Sequence, residues 1–189
     1  MNASKLYIKN MVCNRCKMVV KAEMGKRGFE PISVELGQVE LQSAPTDEQK
    51  KELTEMLLQL GFELIDDKKS RMIEQVKNEV VKLVHHSKVG LKTNLSDHLA
   101  QEIGHDYKYI SNLFSEVEGV TIEKYYIAQR IEKVKELLVY DELSLSEIAY
   151  RLNYSSVAYL SNQFKKVTGL TPSHFKNIKG NKRLPLDEV

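Results

Sequence analysis

The spacing of apolar positions along the 189 residues changes several times, and each change marks an element. "KLYIKNM" alternates with the period of two that fits a short strand. "CKMVVKAEMGKRGF" then places apolar residues at Met18, Val19, Ala22 and Met24 before a Gly, which predicts a helix. Two short runs, Ile32–Leu36 and Val39–Leu41, break at Gly37-Gln38 and predict a hairpin. "TDEQKKELTEMLLQLGF" opens on a capping box, Thr46 with Gln49, carries Leu53, Met56, Leu57 and Leu60 on one face, and stops at Gly61. "FELI" is a last short strand. The order is β-α-β-β-α-β, that of a ferredoxin-like split βαβ unit with two helices on one side of a sheet.

Beyond residue 67 the period is helical. "SRMIEQVKNEVVKLVHH" takes Ser70 as its N-cap and spaces Ile73, Val76, Val80 and Leu83 by three and four. Such a seam could pair two chains over residues 70–86, although fewer than three heptads favours packing on its own protein. The tandem His85-His86 reads as a solvated helix end, and "SKVGLKT" as a hinge broken at Gly90.

From residue 95 the chain repeats itself. "SNLFSEVEGVTIEKYY" (111–126) aligns with "SNQFKKVTGLTPSHFK" (161–176), and "HLAQEIGH" (98–105) with "EIAYRLNY" (147–154). The offsets are 50 and 49, so one helix–turn–helix unit occurs twice with a slip of one residue in the turn. The turns fall at Gly104-His105 and Asn153-Tyr154, whose Gly and Asn tolerate a left-handed backbone. In the second helix of each unit, Ile110, Leu113, Phe114 and Val117, or Leu160, Phe164 and Val167, make an apolar face. Opposite lie Lys108, Ser111, Asn112 and Ser115 in the first unit, and Ala158, Ser161, Asn162 and Lys165 in the second. These small or hydrogen-bonding stripes suit a helix that enters a major groove roughly 12 Å wide and reaches base edges. Val157 and Lys166 flank the second stripe. Between the units, "IEKYYIAQRIEKVKELLVY" (122–140) is an amphipathic helix about 28 Å long, able to hold two recognition helices about one DNA turn apart.

Charge sharpens this picture. The net charge of +2 hides a balance of −2 over residues 1–67 and +4 over 68–189. Residues 143–183 hold seven basic side chains against the single acid Glu147, which suggests a polyanionic partner. Residues 95–120 instead hold Lys108 against five acids, so the second unit, with Lys165, Lys166 and the tail lysines, is expected to supply most of the affinity for phosphates. Hydrophobic content of 42% and a charged fraction of 29% are ordinary for a globular protein. No apolar run approaches the roughly 20 residues needed to span a bilayer, and "MNASKLYIKN" lacks the apolar core of a signal peptide.

The only two cysteines, Cys13 and Cys16, lie in "NMVCNRC". Two cysteines cannot form a disulfide framework for a chain of this size, and a reducing cytoplasm is the expected compartment. Thiolates three positions apart on a loop entering a helix can converge on one ion, and the helix N-terminus and Arg15 favour the thiolate. Two soft sulfurs without a nearby carboxylate suit Cu(I) better than four-coordinate Zn(II). Other readings stay open: a thioredoxin-like redox pair, a zinc site completed by His85 or His86, or a domain that binds a protein or organic ligand without metal.

Two resemblances follow from these motifs. M-x-C-x-x-C at the first strand–helix junction, with Gly28-Phe29 before the hairpin and Gly61-Phe62 before the last strand, resembles the heavy-metal-associated domain of copper chaperones and metal-pumping ATPases. Asn10 stands where that family usually has Gly, and Val12 where it usually has Thr or Ser. The resemblance implies that Cys13 and Cys16 bind the metal while Met11 packs inward. Ile148-Ala149, Asn153-Tyr154, Tyr159-Leu160, Phe164-Lys165-Lys166, Gly169 and Thr171-Pro172-Ser173, with Arg130 and Leu137-Leu138 upstream, resemble the AraC-type DNA-binding domain. That family often has Arg two before the Phe, where this chain has Asn112 and Asn162.

Together these readings predict two domains. Residues 1–67 form an α+β ferredoxin-like sensor, 68–90 a connecting helix and hinge, 91–180 an all-α double helix–turn–helix, and 181–189 a basic-to-acidic tail. The expected function is a cytoplasmic, non-enzymatic transcription regulator that binds double-stranded DNA and responds to Cu(I) or another soft ion. RNA polymerase and a second copy of the chain are the further expected partners. No catalytic constellation is evident; His98, His105 and His174 fall in the helix–turn–helix repeats.

Overall fold

The computed structural model describes residues 4–65, 68–87, 93–177 and Leu186. The chain divides into two compact units, residues 1–78 and 79–189. The hinge around Gly90 and all of the 181–189 tail except Leu186 lie outside the described residues.

The first unit runs β1 (Ser4–Lys9), α1 (Asn14–Lys26), β2 (Pro31–Glu35), β3 (Gln38–Leu41), α2 (Asp47–Gln59) and β4 (Glu63–Ile65), followed by α3 (Lys68–Val81), whose residues up to Asn78 belong to it. The sheet order is β2-β3-β1-β4, with every neighbouring pair antiparallel. Leu6 and Ile8 of β1 and Val39 and Leu41 of β3 share one face. They form a single core with Val20 and Met24 of α1 and Leu53, Met56 and Leu57 of α2. Thr46 and Gln49 make both hydrogen bonds of the capping box that starts α2.

The core-facing side of α1 differs from the sequence expectation. Cys16, Val20 and Met24, spaced by four, turn toward the core, whereas Met18 is 71% exposed. An apolar residue on a short helix does not itself fix the phase; the burial of Met11 just before it does.

α3 begins at Lys68, so Ser70 lies inside the helix and is not its cap. Within the first unit its Arg71, Glu74 and Asn78 share a face by their three- and four-residue spacing. Arg71 lies 5.3 Å from the Tyr7 ring centroid, and Glu74 accepts a hydrogen bond from the Asn10 backbone N–H at 3.2 Å. Asn78 covers Gly37, where an added Cβ would sit 2.0 Å from its amide nitrogen. Ile73 and Val76 are buried on their own chain, as is Val80 in the second unit.

The second unit begins with the last residues of α3 and a π-helical turn, Lys82–His86. It continues with α4 (Leu95–Ile103), α5 (Tyr107–Glu118), α6 (Ile122–Tyr140), α7 (Leu145–Arg151), α8 (Val157–Thr168) and α9 (Pro172–Asn177). Gly104 (φ 73°) and Asn153 (φ 52°) are left-handed at the two predicted turns. Ile131, Val134, Leu137 and Leu138 of α6 pack with Ile148, Ala149, Tyr154, Leu160, Phe164 and Phe175 in one core. Phe114 of α5 meets Tyr125 of α6 at 5.7 Å between ring centroids. Val117 and Val167, expected on the apolar faces, are 53% and 47% exposed; each lies in the last turn of its helix, and Val167 lines an open groove with Lys124, Ile127 and Ala128 of α6. His85 is also reassigned: it is part-buried and bonded to Gln129 at 3.0 Å, while His86 is exposed.

Gly37 combines a φ of 70° with the Asn78 amide overhead. Gly37→Ala is expected to lower the stability of the first unit by more than the roughly 1–2 kcal/mol of left-handed strain alone. Asn78→Ala in the same chain should recover the clash but not the strain. Urea unfolding of the two variants and the parent measures both parts; equal stability of Gly37→Ala and parent would refute this account.

Candidate thiol loop and nucleic-acid interface

In the first unit, β1 delivers the chain to Asn10, whose φ of 70° turns it sharply toward α1. Asn tolerates this conformation better than other residues with a Cβ, which explains how it stands in a position suited to Gly. The Asn10 side-chain amide donates to the Gly61 carbonyl at 3.1 Å, and its backbone N–H is held by Glu74. Met11 is fully buried, so the loop is pinned on both sides. Cys13 is the N-cap of α1, and Cys16 lies one turn later on the core-facing side.

The two sulfurs stand 3.3 Å apart, both cysteines are free, and the Cys16 thiol is within 3.9 Å of the Asn10 carbonyl as a donor. Their acidities separate. Burial works to raise the Cys13 thiol, but hydrogen bonds from the Cys16 backbone N–H, the Cys16 thiol and the Arg15 N–H, with the Arg15 charge, hold it below its ordinary value. Burial raises Cys16, and its neighbour Cys13 raises it further. The pair thus offers one thiol that ionises more readily than usual and one that gives up its proton with more difficulty. Among the described residues, no group of three or more His, Cys, Asp or Glu is placed to hold a metal ion. The donor set fits an ion satisfied by two sulfurs and not one that requires four ligands.

In the second unit, the stripes occupy the outer sides of α5 and α8. Lys108 and Asn112 are exposed with Ser111 and Ser115 half-buried between them; Ala158, Asn162 and Lys165 are exposed with Ser161 half-buried. Lys166 is exposed, whereas Val157 is half-buried against the core at the start of α8. Asp106 caps α5, accepting from the Lys108 and Tyr109 N–H groups, so one of the five acids of this unit has a local structural use. Ser156 caps α8 and Ser144 with Glu147 forms a capping box on α7.

The sequence did not point to three features of these sites. Glu74, a buried acid beside Ile73 on the amphipathic helix, holds the thiol loop. Gln129 is fully buried and joins His85, the Tyr125 hydroxyl and the Leu186 carbonyl. Arg130 lies 3.8 Å over the Tyr154 ring and donates to the Leu152 carbonyl at 2.6 Å, fixing the end of α7. Glu74 and Gln129 carried a faint signal, a polar residue at the edge of an apolar stripe.

Residues 99–178 match the family model described as a helix-turn-helix domain. The xylose operon regulatory protein of Escherichia coli is 29% identical over 94 residues, which cover 50% of this chain and 23% of that protein. The transposon Tn10 TetD protein of Escherichia coli is 31% identical over 85 residues, covering 45% of this chain and 62% of that one. The C-terminal domain of AraT, a response regulator from Geobacillus stearothermophilus, shares the fold with a TM-score of 0.50 at 23% identity, over 63% of this chain and 95% of that one. The chain spans less than a quarter of the length of the xylose operon regulatory protein, and 14% of an uncharacterized transcriptional regulator, YtdP, of Bacillus subtilis. No described helix is long and apolar enough to cross a membrane.

The split in thiol acidity sets an order of reaction. At neutral pH, iodoacetamide is expected to modify Cys13 before Cys16, and raising the pH should bring Cys16 in later. Mass spectrometry of digests from a timed series reads this directly; equal rates at both cysteines across the pH series would contradict the assigned environments.

Proposed function

We propose that this chain, whose residues 99–178 are an AraC-type helix–turn–helix domain, is a sequence-specific transcription regulator that responds to a soft metal ion such as Cu(I). The observation that carries the DNA-binding part is the pair of outward stripes on α5 and α8, both anchored to α6. In this reading Ser111, Asn112, Ala158, Ser161 and Asn162 face base edges, while Lys108, Lys165 and Lys166 meet phosphates. Asn112 and Asn162 prefer adenine, since one Asn amide can bond N6 and N7 together. Val157 serves the base of α8 more than the groove. The acids around α5 leave most phosphate contact to the second helix–turn–helix. The chain performs no catalysis in this reading; RNA polymerase is its further partner, and the cytoplasm its compartment.

For the first unit, the β-α-β-β-α-β order, the 2-3-1-4 sheet and the inward Met11 support a ferredoxin-like, heavy-metal-associated domain. Cys13 and Cys16 would hold the ion, which supplies a soft Lewis acid satisfied by two thiolates. Loading requires Cys16 to lose its thiol proton, which lies beside Asn10. Asn10 is the residue whose N–H is fixed by Glu74 of α3, so a change at Cys16 is one residue away from the connecting helix. That helix carries the signal toward the second unit. A homodimer through residues 70–86 would have to use surface other than Ile73, Val76 and Val80, which are already buried.

The 3.3 Å sulfur separation favours a second reading, a redox switch using the same cysteines. Peroxide-sensitive but chelator-insensitive DNA binding would single it out.

Binding of the parent chain and Cys13→Ser to a promoter fragment, with and without Cu(I), tests the metal reading. The parent is expected to change affinity with Cu(I) and the variant to ignore it; indifference of both removes the metal from the mechanism. In a binding-site selection, Asn162→Ala is expected to lose about 1–3 kcal/mol of base discrimination at one position of its half-site. An unchanged preference there would sink the assignment of Asn162.

A further inference from the structure

A cavity of about 560 Å³ opens in the second unit, away from the outward stripes of α5 and α8. Its walls come from three places: the π-helical turn with Ser87, the middle of α6 (Tyr126, Arg130, Lys133), and the α7–α8 turn (Arg151, Leu152, Asn153). No carboxylate stands among the described lining residues. Lys133 is paired with Glu136 at 2.9 Å, so its charge is largely offset. Among the described residues the two arginines are not offset. Arg130 is half-buried, and its partners are the Leu152 carbonyl and the faces of Tyr154 and Tyr126, none of which carries a charge. Arg151 is exposed at the rim and forms no ion pair among the described residues. A half-buried guanidinium without a counter-charge among the described residues is an unfinished electrostatic arrangement, because desolvation removes water without those residues supplying an anion.

The mounting of Arg130 strengthens the case. Stacking on Tyr154 and the 2.6 Å bond to Leu152 fix the guanidinium plane, while most of its five N–H donors have no acceptor among the described residues. Rigid, planar donors of this kind recognise the oxygens of phosphates and carboxylates. The volume lies within the range of small-molecule sites, roughly 300–1,000 Å³, and the polar rim argues against an apolar ligand. His85, which lines the same cavity, is pushed down to about 4 by burial, so it stays neutral beside the cations at physiological pH.

We infer that this cavity binds a small polyanion, one presenting several phosphate or carboxylate oxygens to Arg130 and Arg151. Such a ligand would tie the π-helical turn and the α7–α8 turn to α6 at once. The second of these turns leads directly into α8, so occupancy would stiffen the entry to one recognition helix. That consequence rests on the DNA-binding reading, whereas the binding event does not.

Isothermal titration of the full chain with pyrophosphate and with citrate, at matched ionic strength, tests the inference. Saturable one-to-one binding of at least one probe is expected. Arg151→Gln should weaken it about tenfold or more, the loss of one charge-assisted hydrogen bond, with Arg151→Lys intermediate. Circular dichroism confirms that each variant is folded. Absence of saturable binding by both probes overturns the site, as does binding that Arg151→Gln leaves untouched. If neither probe binds and Arg151→Gln instead flattens the salt dependence of DNA binding, the recess seats a duplex phosphate and the small-ligand inference fails.

Discussion

A single helix of 19 residues is the constraint on which the second unit depends. α6 offers apolar side chains to elements on both sides, Ile122 and Tyr125 near its start and Ile131, Val134, Leu137 and Leu138 farther along. The first helix–turn–helix leans on the early part through Phe114, and the second on the later part through Phe164 and Tyr154. Neither recognition helix can shift without disturbing a packed contact on α6, and close-packed contacts do not deform continuously. On the inner side of α6, buried Lys135 is paired with Glu132 and half-buried Lys133 with Glu136, whereas half-buried Arg130 has no ion-pair partner among the described residues.

Left-handed backbone positions make the same argument at smaller scale. Asn10 and Asn153 each occupy a conformation that most residues avoid, and each sits where the chain must turn abruptly into or between helices. At Asn153 the turn lets Tyr154 drop into the core beneath Arg130. At Asn10 it places the thiol loop over Met11 and brings the backbone N–H to Glu74. In both places one short polar residue converts a strained turn into a fixed one.

The period of apolar residues was enough to read the strands, most helix limits and both turns of the repeat, because those features arise from local spacing and caps. It also located the outward stripes, since a helix with one apolar face has only one side left for recognition. Features decided by tertiary neighbours were not legible. Val117 and Val167 fit the apolar pattern but stand half-exposed in the last turns of their helices. Met18 fits it too, yet the phase of α1 is set by Met11 and the loop before it. His85 read as a solvated end because its partner, Gln129, is 44 residues away. The cysteines were legible as a pair, but their opposite acidities depend on which sulfur receives the helix N–H groups and which faces the core.

The split between the two thiols bears on how one loop could serve either chemistry proposed for it. The more readily ionised thiol of Cys13 serves as the entry point for a soft ion or for an oxidant alike, so the first step does not distinguish them. The distinction lies in the second step at Cys16. Sharing an ion removes the Cys16 proton and leaves the sulfurs apart, while a disulfide draws them from 3.3 Å to about 2.05 Å. Both remove the Cys16 thiol proton beside Asn10, and Asn10 is tied through its N–H to α3. In either chemistry the output would be set by how far Cys16 moves on the core-facing side of α1, where Val20 and Met24 leave little slack. A disulfide would draw the sulfurs together from 3.3 Å, whereas an ion seated between them would spread them, so the two products would displace Cys16 in opposite directions.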